Sequence, residues 1–183
     1  PAFTYVWYRC DVTDPILVNG LVTDSTCQLI AGAAANTYKL TVTDLQKYVY
    51  GVVKATNSLG ITYSTANDAG QTKGVPKLVT APVVSGNKTV GATLTVSAGA
   101  YAGFPVPDTT YRWYRCPAAV PAVVATLPTT CAALDAFTDT YVPTAADAGK
   151  FVTAVTFKSN DVGTLATASI STTAIDRKST RLN

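Results

Sequence analysis

Four consecutive residues, Trp-Tyr-Arg-Cys, occur twice in this chain, at Trp7–Cys10 and again at Trp113–Cys116. A second cysteine follows each copy, Cys27 and Cys131. Beyond it lies an Asp-x-x-Lys-aromatic-Val segment, at Asp44–Val49 in one case and Asp147–Val152 in the other. From copy to copy the first cysteine is displaced by 106 residues and the aspartate by 103. A nearly constant offset marks one module present twice in tandem, and a module of about a hundred residues is large enough to hold its own core. A chain built this way is expected to do something that gains from repetition.

The composition narrows the chemistry sharply. Histidine is absent, and all eleven acids are aspartates. No side chain therefore has an ordinary pKa in the window of about 5 to 8. Ser-His-Asp and Cys-His catalysis, histidine-bearing zinc sites and paired-glutamate hydrolysis all need residues this chain does not contain. The expectation is a non-enzyme with no catalytic, metal-binding or cofactor-binding residues. Hydrophobic residues make up 48% of the chain, enough for a packed core. No apolar run approaches the roughly eighteen residues of a membrane span.

The last eight residues, Asp176 to Asn183, break the Thr/Ala/Val texture before them and read as the translation of a sequencing adapter, a scar to set aside. Without them eleven basic and ten acidic residues remain, a net charge of +1 in place of +3. That balance gives no reason to expect nucleic acid as a partner.

The cysteines fall two to a module, 17 and 15 residues apart. Zinc sites use closer pairs and more ligands. A local disulfide in each module, Cys10–Cys27 and Cys116–Cys131, fits the spacing and the repetition better than reduced, buried thiols. It implies an oxidising, extracellular setting. Each closed loop would contribute about 3 kcal/mol through the unfolded chain's lost entropy.

Strand signals dominate the rest. In the second module Leu78–Val84, Thr93–Ala98, Thr110–Cys116, Phe137–Val142, Lys150–Lys158 and Thr164–Ser171 read as strands, with a Gly/Pro-rich loop from Gly99 to Asp108. Along Thr110–Cys116 the alternation sends Tyr111 and Trp113 inward and Arg112 and Tyr114 outward. In Lys150–Lys158 both faces are partly apolar, so the pattern leaves the core face open. The first module shows Thr4–Cys10, Thr37–Thr41, Tyr48–Thr56 and Ile61–Thr65. Nothing in it matches the first two strands of the second. Because the chain opens at Pro1 inside a strand pattern, the first module is expected to be truncated, its true start lying upstream. The expected organisation is therefore 1–65 as an incomplete module, 66–77 as linker, 78–175 as a complete module and 176–183 as scar.

Two sandwich modules are the natural reading of short strands with turn signals every eight to twelve residues. The combination W-Y-R-C…C, Ala33–Tyr38, D-x-x-K, Ala55–Gly60 and the V-x-x-P-V-V-S-G…V-G-x-T-L-T-V run of Val79–Val96 resembles the tandem immunoglobulin-like repeat domains of bacterial secreted and cell-surface proteins. The Asp-x-Gly-x-Phe at Asp147–Phe151 resembles the corner before strand F of that fold, with Gln46 in place of the glycine in module one. The resemblance covers nearly all of residues 1–175. It implies an all-β fold of tandem immunoglobulin-like antiparallel sandwiches, but no cysteines join strands B and F here.

Weighed against structural roles, few residues stand out as candidate sites. Asp11, Asp14 and Asp24 suit turns better than calcium, since the loop 117–130 of the other module carries no acid. Tyr8, Arg112 and Tyr114 on the outer face of the tryptophan strands are the candidate ligand contacts, for a glycan or a protein. The resemblance implies a structural and adhesive segment of a larger extracellular protein, with other copies or neighbouring repeats as partners and avidity from repetition. Two alternatives are an accessory, glycan-binding module of a secreted carbohydrate-active enzyme and a filament subunit completed by strand exchange. Mass spectrometry of a non-reduced digest should find Cys10 linked to Cys27 and Cys116 to Cys131. Free thiols or links across modules would contradict the pairing.

Overall fold

The computed structural model describes residues 1–66 and 70–177. Residues 67–69, in the stretch expected as linker, and 178–183, in the expected scar, lie outside the described residues. The chain divides into two compact units, Pro1–Gly74 and a second beginning at Val75. The fold is all-β, built of several antiparallel sheets, with no α-helix among the described residues.

The first unit contains β1 (Ala2–Cys10), β2 (Leu17–Val18), β3 (Leu21–Val22), β4 (Cys27–Leu29), β5 (Tyr48–Asn57) and β6 (Gly60–Thr65). Its main sheet runs β4-β1-β5-β6, and β2-β3 form a separate hairpin. From Gly74 onward come β7 (Gly74–Thr80), β8 (Val84–Ser85), β9 (Leu94–Val96), β10 (Ala100–Phe104), β11 (Asp108–Cys116), β12 (Ala132–Ala133), β13 (Thr140–Tyr141), β14 (Phe151–Asn160) and β15 (Gly163–Ala168). Here the main sheet is β12-β11-β14-β15, with β13-β9-β8 and β10-β7 as further sheets. β-Branched and aromatic residues fill β5 and β14, as pleated strands favour. Both hairpins turn on an asparagine. Asn57 Oδ1 accepts from the Leu59 and Gly60 amides, and Asn160 Oδ1 from those of Val162 and Gly163.

The tryptophan strands keep the same register in both units: Trp7 lies opposite Gly51 on β5, Trp113 opposite Ala154 on β14. Yet the two units bury opposite faces of that sheet. In the second, Trp113, Val152 and Ala154 pack with Leu94, Val96 and Ile175, and Trp113 is wholly buried. Sheet β13-β9-β8 therefore covers the inner face. The first unit has no counterpart of that sheet among the described residues. Trp7, Val49, Gly51 and Val53 remain partly exposed there. Its core is instead Cys10, Tyr50, Val52 and Val22, on the outer face beneath the disulfide loop and its β2-β3 hairpin.

The second unit covers its outer face as well. Val120 and Val124 in the loop 117–130 bridge to Ser171 and to Ala168, the last residue of the edge strand β15, and Val155 is 5% exposed. Both faces of β14 are apolar because each meets a layer, with Val152 and Ala154 on the core side.

Four elements depart from expectation. The first is Leu78–Val84, which spans the end of β7 and the first residue of β8, strands of two different sheets separated at Pro82. Thr37–Thr41 is not a strand. Its counterpart Thr140–Tyr141 pairs with Thr95 and Leu94, and the first unit offers no such partner. Conversely, the Gly/Pro-rich loop after Gly99 contains β10, paired with β7. Gly103 makes this possible, since a Cβ there would lie 3.2 Å from Pro76 Cα. β7 itself begins at Gly74, within the stretch 66–77 expected as linker. At the corner, Gln46 takes the left-handed conformation of Gly149, with φ of 65° against 76°. The corner thus survives the missing glycine, at a cost of about 1 kcal/mol.

Beyond the core, Asp176 continues the backbone pairing, donating its amide to Lys88 and accepting from Val90. Burial predicts an asymmetry between the tryptophans. Trp113→Ala should cost about 3–5 kcal/mol and Trp7→Ala less than half of that. Hydrogen exchange along β14 and β5 reads the two losses separately, and equal losses would contradict the assignment of faces.

Candidate functional site

The most densely bonded polar group in each unit is the corner aspartate. Thr144 precedes a single 3-10 turn, Ala145–Asp147, and forms a capping box with Asp147. Asp147 Oδ2 accepts from the Thr144 amide (2.6 Å), the Thr144 hydroxyl (3.0 Å) and the Tyr141 hydroxyl (2.7 Å). Its Oδ1 accepts from Arg115 Nε at 2.6 Å. The first unit repeats this arrangement. Asp44 accepts from the Thr41 amide and hydroxyl, the Tyr38 hydroxyl at 3.0 Å and Arg9 Nε at 2.7 Å.

Both carboxylates are fully buried. Burial alone would raise their pKa. In Asp147 the bonds from Arg115, Thr144 and Tyr141 outweigh it, and in Asp44 those from Thr41, Arg9 and Tyr38 do so. Each carboxyl is held below the ordinary carboxylate value. Burial, then the hydrogen bond to Asp147 and that group's charge, push the Tyr141 hydroxyl up to about 12. Carboxylates so depressed and so fully bonded are poor general bases and poor nucleophiles. These clusters fasten the fold.

The other aspartates singled out serve turns and surface pairs. Asp24 accepts from the Thr26 hydroxyl and from the Thr26 and Ile16 amides, which hold its pKa down. Asp11 pairs with Lys47.

The outer-face candidates separate on inspection. Tyr8 packs against the buried cluster of Cys10, Tyr50 and Val52 in its own unit. Arg112 and Tyr114 do come together. The Arg112 guanidinium carbon lies 5.9 Å from the Tyr114 ring centre and 5.7 Å from that of Phe137. Tyr114 also lines a cavity of about 270 Å³ beneath the disulfide loop, with Leu127, Pro128, Val155, Phe157 and Ala166; Arg112 and Phe137 are not part of its lining. The loop reaches this position because Cys116–Cys131 closes its base and Val120 and Val124 anchor its far side.

Sequence reasoning missed Phe137 and the cavity. Phe137 was legible only through its counterpart. Trp113 and Trp7 donate their indole N–H to Thr138 and Ala35, which aligns Phe137 with Ala34.

No family model matches the chain, and no curated protein matches it. Among solved structures, a chimeric titin Z1Z2-Z1Z2 tandem functionalised with a GRGDS peptide from fibronectin is similar over 96% of this chain and 84% of that one. The identity is 19% and the TM-score 0.22, too low for the likeness to carry any argument.

The buried carboxylates set the pH response. Their folded pKa values lie below the unfolded value of about 3.9, so the unfolded chain binds more protons in acid. Their contribution is present in full above that value and is lost as pH falls through the folded values. Melting temperature should therefore be level between about pH 5 and 8 and fall below about pH 4. In Asp147→Asn the neutral melting temperature should drop and the acid limb flatten. An acid limb as steep as the parent's would contradict this.

Proposed function

We propose that the chain is a segment of tandem immunoglobulin-like modules from a secreted or cell-surface bacterial protein, acting as a spacer that presents adhesive surfaces in many copies. The observation that carries this reading is the recurrence of one scaffold, disulfide and buried corner included, in both units. Two disulfides suit an oxidising extracellular setting. No described helix is long and apolar enough to cross a membrane. The buried aspartates are committed to structure, which favours a mechanical or binding role over a catalytic one.

Repetition matters because linked weak sites gain avidity with no new contact. Beads carrying the full chain at low and high density, flowed over a mixed extracellular polysaccharide, test this. Retention should rise by about a hundredfold or more with density. Retention independent of density, or depolymerisation of the polysaccharide, would overturn the reading.

The partly exposed Trp7 face favours a second reading, a filament subunit completed by a strand from another copy. Under that reading the chain assembles with rising concentration and Trp7 emission shifts to the blue. A module that acts only as a spacer stays monomeric.

A further inference from the structure

Of the three arginines on the tryptophan strands, Arg112 has no part in a buried corner. Arg9 and Arg115 each hold a buried aspartate. Among the described residues, no carboxylate and no hydrogen-bond acceptor pairs with Arg112. Its Nε is buried without a partner, while the guanidinium lies near the rings of Tyr114 and Phe137. The buried Nε is closed to any ligand, so an anion would meet the other guanidinium N–H groups, which have no acceptor among the described residues.

The corresponding positions of the first unit show that the strand does not need it. Val6 stands where Arg112 stands, and Ala34 where Phe137 stands, yet β1 and β11 keep the same register. The cation and its exposed aromatic wall are present together in one unit and absent together from the other. Phe137 is 59% exposed and has no ring as its counterpart in the other unit.

The surroundings define what the anion is attached to. Arg112 lies opposite Val155 on β14. Val155 and Tyr114 both line the cavity beneath the loop. That cavity, about 270 Å³, is walled by apolar faces with the Thr126 and Thr129 residues among its lining. Its size suits one ring and is too small for a folded partner segment. A carboxylated sugar matches each part. A sugar stacked by its C–H face on Tyr114 would bring its carboxylate towards the Arg112 guanidinium, whose carbon lies 5.9 Å from that ring's centre.

We propose that the outer face of the second unit is a binding site for an acidic sugar, with Arg112 as the carboxylate anchor and Tyr114 and Phe137 as its aromatic walls. The proposal rests on the adhesive part of the reading above and supplies its ligand class.

Calorimetric titration of the full chain with trigalacturonate, neutral galactotriose and triglutamate tests it. Trigalacturonate should bind, with galactotriose and triglutamate each weaker by about tenfold or more. Arg112→Val and Phe137→Ala place the first unit's own residues at these positions, so the strand should fold unchanged. Each should weaken trigalacturonate by about tenfold or more, and far-ultraviolet dichroism should match the parent.

Several results would overturn the proposal: no heat with about 10 mM trigalacturonate, equal affinity for the neutral trimer, or undiminished binding by Arg112→Val. Triglutamate binding as tightly would show a peptide site and overturn the sugar assignment. Density-dependent bead retention that survives Arg112→Val would place adhesion elsewhere, refuting this site and leaving the broader reading intact.

Discussion

Asp147 is a carboxylate kept ionised out of contact with water, and two sheets of the second unit are organised around satisfying it. Four donors meet it, from Arg115 on β11, Tyr141 on β13 and the backbone and hydroxyl of Thr144. Since β11 and β13 belong to different sheets, one carboxylate ties both sheets and the turn between them. Losing a single partner would leave buried charge uncompensated, at a cost of about 3–5 kcal/mol. The network is cooperative for this reason: each donor is held where the others need it. In the first unit the same four donors meet Asp44 although Tyr38 lies on irregular backbone. The corner is thus encoded locally, by residues within one unit, and does not depend on a second sheet.

This separation of local from non-local determinants explains what could be read from the sequence. The strands carrying Trp-Tyr-Arg-Cys, the long hairpins closed by Asn57 and Asn160 and the paired cysteines all depend on nearby residues or on strong alternation. The departures depend on a partner. Thr37–Thr41 has the composition of a strand but no neighbour to pair with, whereas Ala100–Phe104 has the composition of a loop and finds β7. Alternation could not assign the core face of β14, because both faces carry apolar residues for good reason. The inner face meets a sheet, and the outer face meets a loop whose path no period reveals.

The disulfides take their importance from the same geometry. Closing 17 and 15 residues constrains the unfolded chain, but the native consequence is positional. Each bridge returns the chain to the edge of β1 or β11 after it has crossed the outer face. In the first unit the returning loop brings Val22 over Tyr50 and Val52 and makes the core. In the second it brings Leu127 and Pro128 over Val155 and Phe157 and leaves a cavity. One covalent device thus gives a core in one unit and a candidate site in the other, according to what the loop carries.

Comparing the units at matched register therefore divides scaffold from everything else more sharply than either sequence alone. The shared residues, Trp, Arg, Cys, Tyr, Thr and Asp, are accounted for by the indole bond, the bridge and the buried corner. The shared outer tyrosine belongs with them in the first unit, where Tyr8 packs against the cluster beneath the loop. A tyrosine on the outer face of the tryptophan strand, beside arginine, was the sequence's argument for a ligand contact, and in the first unit it pointed at packing. The stronger signal is the opposite one. A cation and a ring that arrive together where the counterpart has Val6 and Ala34 add nothing that the shared scaffold requires. The cation also carries the cost of a buried, unpartnered Nε. Side chains that burden a fold already complete without them are where binding chemistry is best sought.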